Sequence, residues 1–277
     1  MENLKGKNIV VTGATGGLGS SLVKRLWKLD ANLFLISKTR EKLLRTALRL
    51  KTKTVDKKFF IFDYGFSTLD FVDDLQKNLM EFFQCNIYAV INNAATQQPI
   101  GKGYQVEWDK FITAQNINLY SPIAIMRMVI PSMIANGGGR IINLSGGGST
   151  NTRPNFSSYA MSKTALVRYS EILGDELREF NVNINCVSPG NMNTNMQQET
   201  LLTSGISEKE FDTATITLKQ DKEMTKQKAI DLIEFLLSEE SKNVSGLLIS
   251  AVWDDWNTLK DYNYKDDKDK YKLRRVI

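Results

Sequence analysis

Tyr159 and Lys163 stand four residues apart in SSYAMSKTALV, on one face of a predicted helix. A phenol of ordinary pKa, about 10, exchanges protons poorly at neutral pH. An ammonium one turn away stabilises the phenolate and lowers that pKa. The pair therefore suits proton delivery to an oxygen gaining negative charge, or proton removal in the reverse direction. Just upstream, the strand-like INLS brings Ser145 and then three glycines to the same neighbourhood. The chain has no histidine. That excludes Ser-His-Asp and Cys-His mechanisms and argues against a catalytic zinc, so no metal is expected.

A second group of residues is built for phosphate. Thr12-Gly13-Ala14-Thr15-Gly16-Gly17-Leu18-Gly19 follows the predicted strand NIVV and opens the predicted helix SSLVKRLWKL. Glycines let backbone approach a pyrophosphate, and a helix N-terminus offers free N–H groups and a positive dipole end. The next strand closes on Leu35-Ile36-Ser37-Lys38, with Arg40 beyond. An acidic residue there would bind the ribose hydroxyls of NAD and repel a 2′-phosphate. Ser37 and Lys38 favour NADP(H) over NAD(H) instead.

The elements that must carry these residues alternate. KNIVVTG, NLFLISK, KFFIFDY, NIYAVINNAA, GRIINLSG, VNINCVSPG and GLLISAVW read as strands. Between them GSSLVKRLWKL, EKLLRTALRLK, FVDDLQKNLMEFF, WDKFITAQNINLYSPIAIMRMVIPSMI, SSYAMSKTALVRYSEILGDELREF and KQKAIDLIEFLLSEE read as helices. Such alternation predicts an α/β, Rossmann-type doubly wound parallel sheet flanked by helices on both faces. Ligands then bind at the carboxyl ends of the strands. The expected organisation is a single domain over 1–256, with a polar substrate loop at 194–224 and a C-terminal extension at 257–277.

Composition agrees with an enzyme of that kind. The 277 residues are 42% hydrophobic and 24% charged, with a formal net charge of +5. Seven Lys/Arg against four Asp in 257–277 supply +3 of it, interleaved as in a solvated tail. Cys85 and Cys186 lie in or beside strand-like runs, so no disulfide framework is expected. No apolar run approaches the roughly 20 residues of a membrane span, and the start MENLKGKNIVV lacks a leader pattern. A cytoplasmic location is the expectation, with no nucleic-acid or membrane partner.

With TGATGGLG at 12–19, Asp63 closing the third strand, NNAA at 92–95, Asn118 in NINLY, Tyr159-x-x-x-Lys163 and Pro189-Gly190 with Thr194, the chain resembles the short-chain dehydrogenase/reductase family across roughly residues 5–255. The resemblance implies that Gly13, Thr15, Gly16, Gly17, Leu18 and Gly19 hold the pyrophosphate. It implies that Asp63 and Tyr64 flank the adenine, and that Asn93, Ala94 and Ala95 line the ribose side. Pro189, Gly190, Met192 and Thr194 would seat the nicotinamide carboxamide. Asn118 would kink its helix and support a water-linked proton path to Lys163, which would also hold the nicotinamide ribose. Pairing through the helices at 108–136 and 157–180 implies a dimer or tetramer.

One departure stands out. The family's serine lies thirteen residues before the tyrosine, and here that place is Gly146. Losing one preorganised donor to an oxyanion costs ~10²–10³ in rate. Three replacements are open: Ser145 swung in by a bulge, Ser149 or Thr150 from the following loop, or the backbone N–H groups of Gly146 to Gly148. The expected function is hydride transfer between a nicotinamide cofactor and a small carbonyl/hydroxyl substrate, with Tyr159 as general acid/base. Trp253, Asp254, Asp255 and Trp256 suit a sugar-like substrate. Two alternatives use the same motifs: a nucleotide-sugar epimerase or dehydratase, and a catalytically impaired nucleotide sensor.

Overall fold

The computed structural model describes residues 4–50, 58–192, 194–203, 208–219, 223–267 and 269–275. Its strands are β1 (Asn8–Thr12), β2 (Asn32–Ser37), β3 (Phe59–Asp63), β4 (Ala89–Asn92), β5 (Gly139–Leu144), β6 (Val182–Ser188) and β7 (Leu247–Ser250). They form one sheet in the order β3-β2-β1-β4-β5-β6-β7, with every pairing parallel. The order reverses between β1 and β4, which opens a crevice at the carboxyl ends of those strands.

Period-two alternation sends successive side chains to opposite faces, and both faces are covered. Ile9 and Val11 of β1, with Leu33 and Leu35 of β2, join one apolar cluster with α1 (Gly17–Lys28) and α9 (Glu223–Leu236). Val10, Phe34 and Ile36 point the other way, onto α3 (Val72–Phe83) and α5 (Ser121–Ala135). The remaining helices are α2 (Arg40–Leu50), α4 (Trp108–Gln115), α6 (Ser157–Glu176), α7 (Asn195–Leu201) and α8 (Glu208–Lys219). The expected doubly wound α/β architecture is therefore observed.

Several expectations are amended. The predicted helix starting at Trp108 is interrupted by a π-helical turn over Asn116–Tyr120, between α4 and α5. Taken as one helix, Trp108–Ala135 is long and apolar enough to cross a membrane by length and composition alone, with a mean hydropathy of 1.3 in its best window. Met126, Val129 and Met133 of that stretch are buried against the sheet. The polar segment 194–224, expected as a loop, holds two helices, α7 and α8, packed on one another. Its residues 204–207 and 220–222 lie outside the described residues.

The tail was expected to be solvated. Instead Leu259 and Tyr262 enter the core, and the Tyr271 carbonyl accepts the Leu248 N–H of edge strand β7 at 2.8 Å. Glu171 of α6 receives the Leu273 N–H at 2.7 Å. Some of the interleaved charges pair within the tail, as Arg274 does with Asp269 at 2.6 Å, and others reach α6, as Lys272 does to Asp175 at 3.7 Å. Aromatic and leucine side chains dock this segment, and Lys272 and Arg274 tie it to α6 through Asp175 and Glu171.

Candidate active site

The glycine run turns sharply between β1 and α1. Gly13 has φ +62, and a Cβ there would meet Asn93 Nδ2 at 2.8 Å and Ala94 Cα at 2.9 Å. Gly19 packs so closely on the Gly13 carbonyl that a Cβ has no room. The NNAA segment holds this turn in place. Thr12 Oγ1 accepts the N–H groups of Asn93 and Ala94, each at 3.0 Å. Asn93 Nδ2 donates back to the carbonyls of Thr12 and Gly13 at 3.1 and 3.0 Å. Gly16 precedes α1 without a side-chain cap, so the backbone N–H groups of that first turn have no capping side chain.

A cavity of about 1020 Å³ runs from this turn across the sheet's carboxyl edge. Its walls include Gly13, Thr15, Gly16, Gly17 and Leu18, and then Ser37, Lys38 and Tyr64. They continue through Asn93, Ala94 and Ala95 to Ser145, Tyr159 and Lys163, and close on Pro189, Gly190, Met192 and Thr194. Most of the residues expected to act together thus share one chamber. Gly190 has φ +82 and no room for a Cβ against Val252 Cγ2 at 2.6 Å. Thr194 reaches over the cradle, its Cγ2 lying 2.7 Å from where a Gly17 Cβ would be.

Three expected residues stand elsewhere. Asp63 does not line the cavity; its carboxylate takes Arg40 Nη1 at 2.7 Å on the surface. Arg40 is not among the residues that line the cavity, whereas Lys38 and Lys42 are. Thr15 and Ser37 share a hydroxyl hydrogen bond of 2.6 Å there. Asn118 is fully buried below the chamber at the π-helical turn. Its Oδ1 accepts the Thr96 N–H at 2.8 Å and its Nδ2 donates to the Thr96 carbonyl at 2.9 Å. The helix break expected at Asn118 is present.

Around Tyr159 the geometry narrows the question of the missing serine. The Tyr159 hydroxyl lies against the Gly146 Cα, in the space a Cβ would need. Ser149 and Thr150 line a separate groove with Leu273 and Arg274, so neither reaches the chamber. No bulge swings Ser145: its N–H keeps the ladder bond to the Val187 carbonyl at 2.8 Å. Yet Ser145 lines the chamber, and its Oγ is buried without a hydrogen-bond partner. A buried hydroxyl left unpaired is costly. The backbone of Gly146, Gly147 and Gly148 lines the same wall.

Burial raises the Tyr159 pKa, and the charge opposing that rise is Arg153. Lys163 was expected to play this part. Its Nζ sits 6.0 Å from the Tyr159 ring centre and donates to the Leu144 carbonyl at 2.7 Å. Burial pushes the Lys163 pKa down to about 8.

Sequence reading missed Arg153 and Glu210, both in the chamber wall. Arg153 Nε and Nη2 grip the Glu210 carboxylate of α8 at 3.1 and 2.8 Å. A lone cation in the polar loop between INLS and the tyrosine was the available signal. Of the four residues suggested for a sugar-like substrate, Trp253 alone lines the chamber. Trp256 packs on Phe235, and the Asp254 carboxylate caps the Ser250 N–H at 2.6 Å.

The family profile described as short chain dehydrogenase matches residues 7–204. The chain belongs to the short-chain dehydrogenase/reductase family. Dehydrogenase/reductase SDR family member 4 of Sus scrofa is 24% identical to this short-chain dehydrogenase over 250 residues, covering 88% of this chain and 85% of that protein. Among solved structures, NAD+-bound xylitol dehydrogenase superposes with a TM-score of 0.79 at 22% identity, covering 90% of this chain and 98% of the other. YwfH, an NADPH-dependent reductase involved in bacilysin biosynthesis, gives 0.75 at 18% identity, covering 89% and 97%. These superpositions share the fold with this family member, which is an oxidoreductase by family.

Proposed function

We propose that this protein is an NADP(H)-dependent reductase or dehydrogenase that interconverts a small carbonyl compound and its alcohol. The observation that carries the reading is one chamber joining a glycine cradle to a buried tyrosine–lysine pair. The cradle suits a dinucleotide: Gly13 and Gly19 leave no room for side chains, and the first turn of α1 lacks a side-chain cap. When bound, the nicotinamide supplies or takes up the hydride.

Lys38 and Lys42 line the ribose end with Ser37, and among the described residues lining that end there is no carboxylate. That supports a 2′-phosphate there. Both an NAD+-bound and an NADPH-dependent protein have this fold, so the preference rests on these side chains. The pyrophosphate would lie along Gly13 to Gly19, and the carboxamide along Pro189 to Thr194.

Tyr159, its pKa raised by burial, is a protonated phenol at neutral pH. It gives its proton to the oxygen that hydride transfer leaves negative. Ser145 Oγ, unpaired in the same wall, is the donor we assign to that oxygen in place of a side chain at 146. Lys163, tethered to the Leu144 carbonyl beside Ser145, holds positive charge beneath both and binds the ribose. In the oxidative direction Tyr159 must first lose its proton, so oxidation needs a higher pH than reduction. Asn118 fixes the backbone of Thr96 in the chamber wall. Exposed Trp108, Ile112, Tyr120, Met161 and Ile172 along α4 to α6 support self-association of those helices.

The test is Tyr159→Phe beside Ser145→Ala. Tyr159→Phe keeps NADPH affinity in a fluorescence titration and loses turnover across a carbonyl panel. Ser145→Ala lowers kcat by ~10²–10³ with little change in cofactor affinity. Undiminished turnover in Tyr159→Phe would sink the assignment.

A further inference from the structure

We propose that Arg153 selects the substrate, receiving a carboxylate that lies a few carbons from the reacting carbonyl, with Glu210 occupying that place when no substrate is bound. The inference rests on the proposed function and adds the chemical class of its substrate.

Four observations meet at this residue. Arg153 sits in the loop between β5 and α6, and its guanidinium carbon lies 3.8 Å from the centre of the fully buried Phe156 ring. Stacking on that ring fixes the plane of the guanidinium fork. The same carbon is 5.8 Å from the Tyr159 ring centre, so the fork and the proton donor face one chamber. The side chain is only 14% exposed, and a guanidinium so far from water needs a charged partner. Its partner is a carboxylate already: Glu210 fills the fork through both oxygens, at 3.1 and 2.8 Å.

Two parallel N–H···O bonds are the arrangement by which arginine recognises carboxylates. A strap that merely held α8 down could lie anywhere along that helix. This one lies in the chamber wall, with Thr213 of α8 beside it. The reacting carbonyl at Tyr159 and Ser145 and the carboxylate at Arg153 would then define a short oxo acid, or its hydroxy acid in the reverse reaction. On entry the substrate's carboxylate takes the place of the Glu210 carboxylate, which turns out to solvent, so Arg153 keeps one carboxylate partner.

The experiment compares acetoacetate with the neutral, isosteric acetoacetamide. Calorimetric titrations use the whole chain, with and without saturating NADPH, as wild type, Glu210→Gln, Arg153→Gln and Arg153→Lys. The wild type should bind acetoacetate about tenfold more tightly than acetoacetamide, as a charge-assisted bidentate contact gives. Glu210→Gln removes the internal competitor, so acetoacetate affinity rises severalfold while acetoacetamide affinity stays. Arg153→Gln abolishes the discrimination, and Arg153→Lys restores part of it. Equal affinities for the two probes in both wild type and Glu210→Gln would overturn the proposal. A separate NADPH titration reports on the proposed function. Failure of cofactor binding there counts against that function alone, because the probe comparison is also made without cofactor.

Discussion

At the scale of single residues the decisive position is 146. A glycine where the family carries a serine looks like a damaged site until the neighbouring tyrosine is considered. The Tyr159 hydroxyl occupies the space a Cβ at 146 would need, and Tyr159 is itself buried. The side chain has therefore been exchanged for a closer approach of the phenol to the backbone. Restoring the family residue should harm the enzyme: Gly146→Ser pushes the Tyr159 ring out of its packed position. Turnover is expected to fall by about tenfold or more, since misplacing the proposed proton donor is costly. Steady-state kinetics of that variant check this, and a gain in kcat would mean that the ring yields without loss.

At the scale of elements, α6 is docked to β5 through a buried charge. Lys163 reaches from the helix to the Leu144 carbonyl at the strand's end. Its pKa falls from the ordinary 10.5 to about 8 because burial disfavours the ammonium. An unfolded lysine keeps its proton up to about 10.4. Between these values the unfolded chain binds more protons than the folded one, so stability rises with pH. The burial penalty is complete below pH 8 and gone above 10.5. In cofactor-free protein, wild type should therefore gain stability relative to Lys163→Met from pH 8 to pH 10. Urea unfolding at a series of pH values measures the difference. A flat difference would show that the ammonium is solvated or already compensated.

At the scale of the whole molecule, the packed body extends beyond the last strand. Leu259 and Tyr262 complete the cluster formed by α1, α9 and one face of the sheet, and Tyr271 caps edge strand β7. Edge strands left bare invite association, and covering them with a following segment is a common remedy. Leu259→Ala should cost about 2–5 kcal/mol, as for other buried leucines. The melting temperature should then fall by roughly 2–4 °C per kcal/mol. An unchanged melting curve would mean that the tail docks without bearing on the core.

The amino-acid sequence by itself determined the order of elements, the glycine cradle and the tyrosine–lysine pair. These depend on short-range rules: strand periodicity, backbone freedom at Gly13, and the four-residue spacing of one helical turn. Tertiary structure alone decided which of several eligible groups share a chamber. Ser145 enters it and Ser149 does not, although both lie within a few residues of Gly146. Asp63 leaves it for Arg40, while Lys42, unremarkable in sequence, enters it. Glu210 meets Arg153 from 57 residues away. Contacts of that kind depend on how helices and loops pack, which local pattern does not encode. The same holds for the tail, whose charges read as solvated until its leucine and tyrosines found an apolar face.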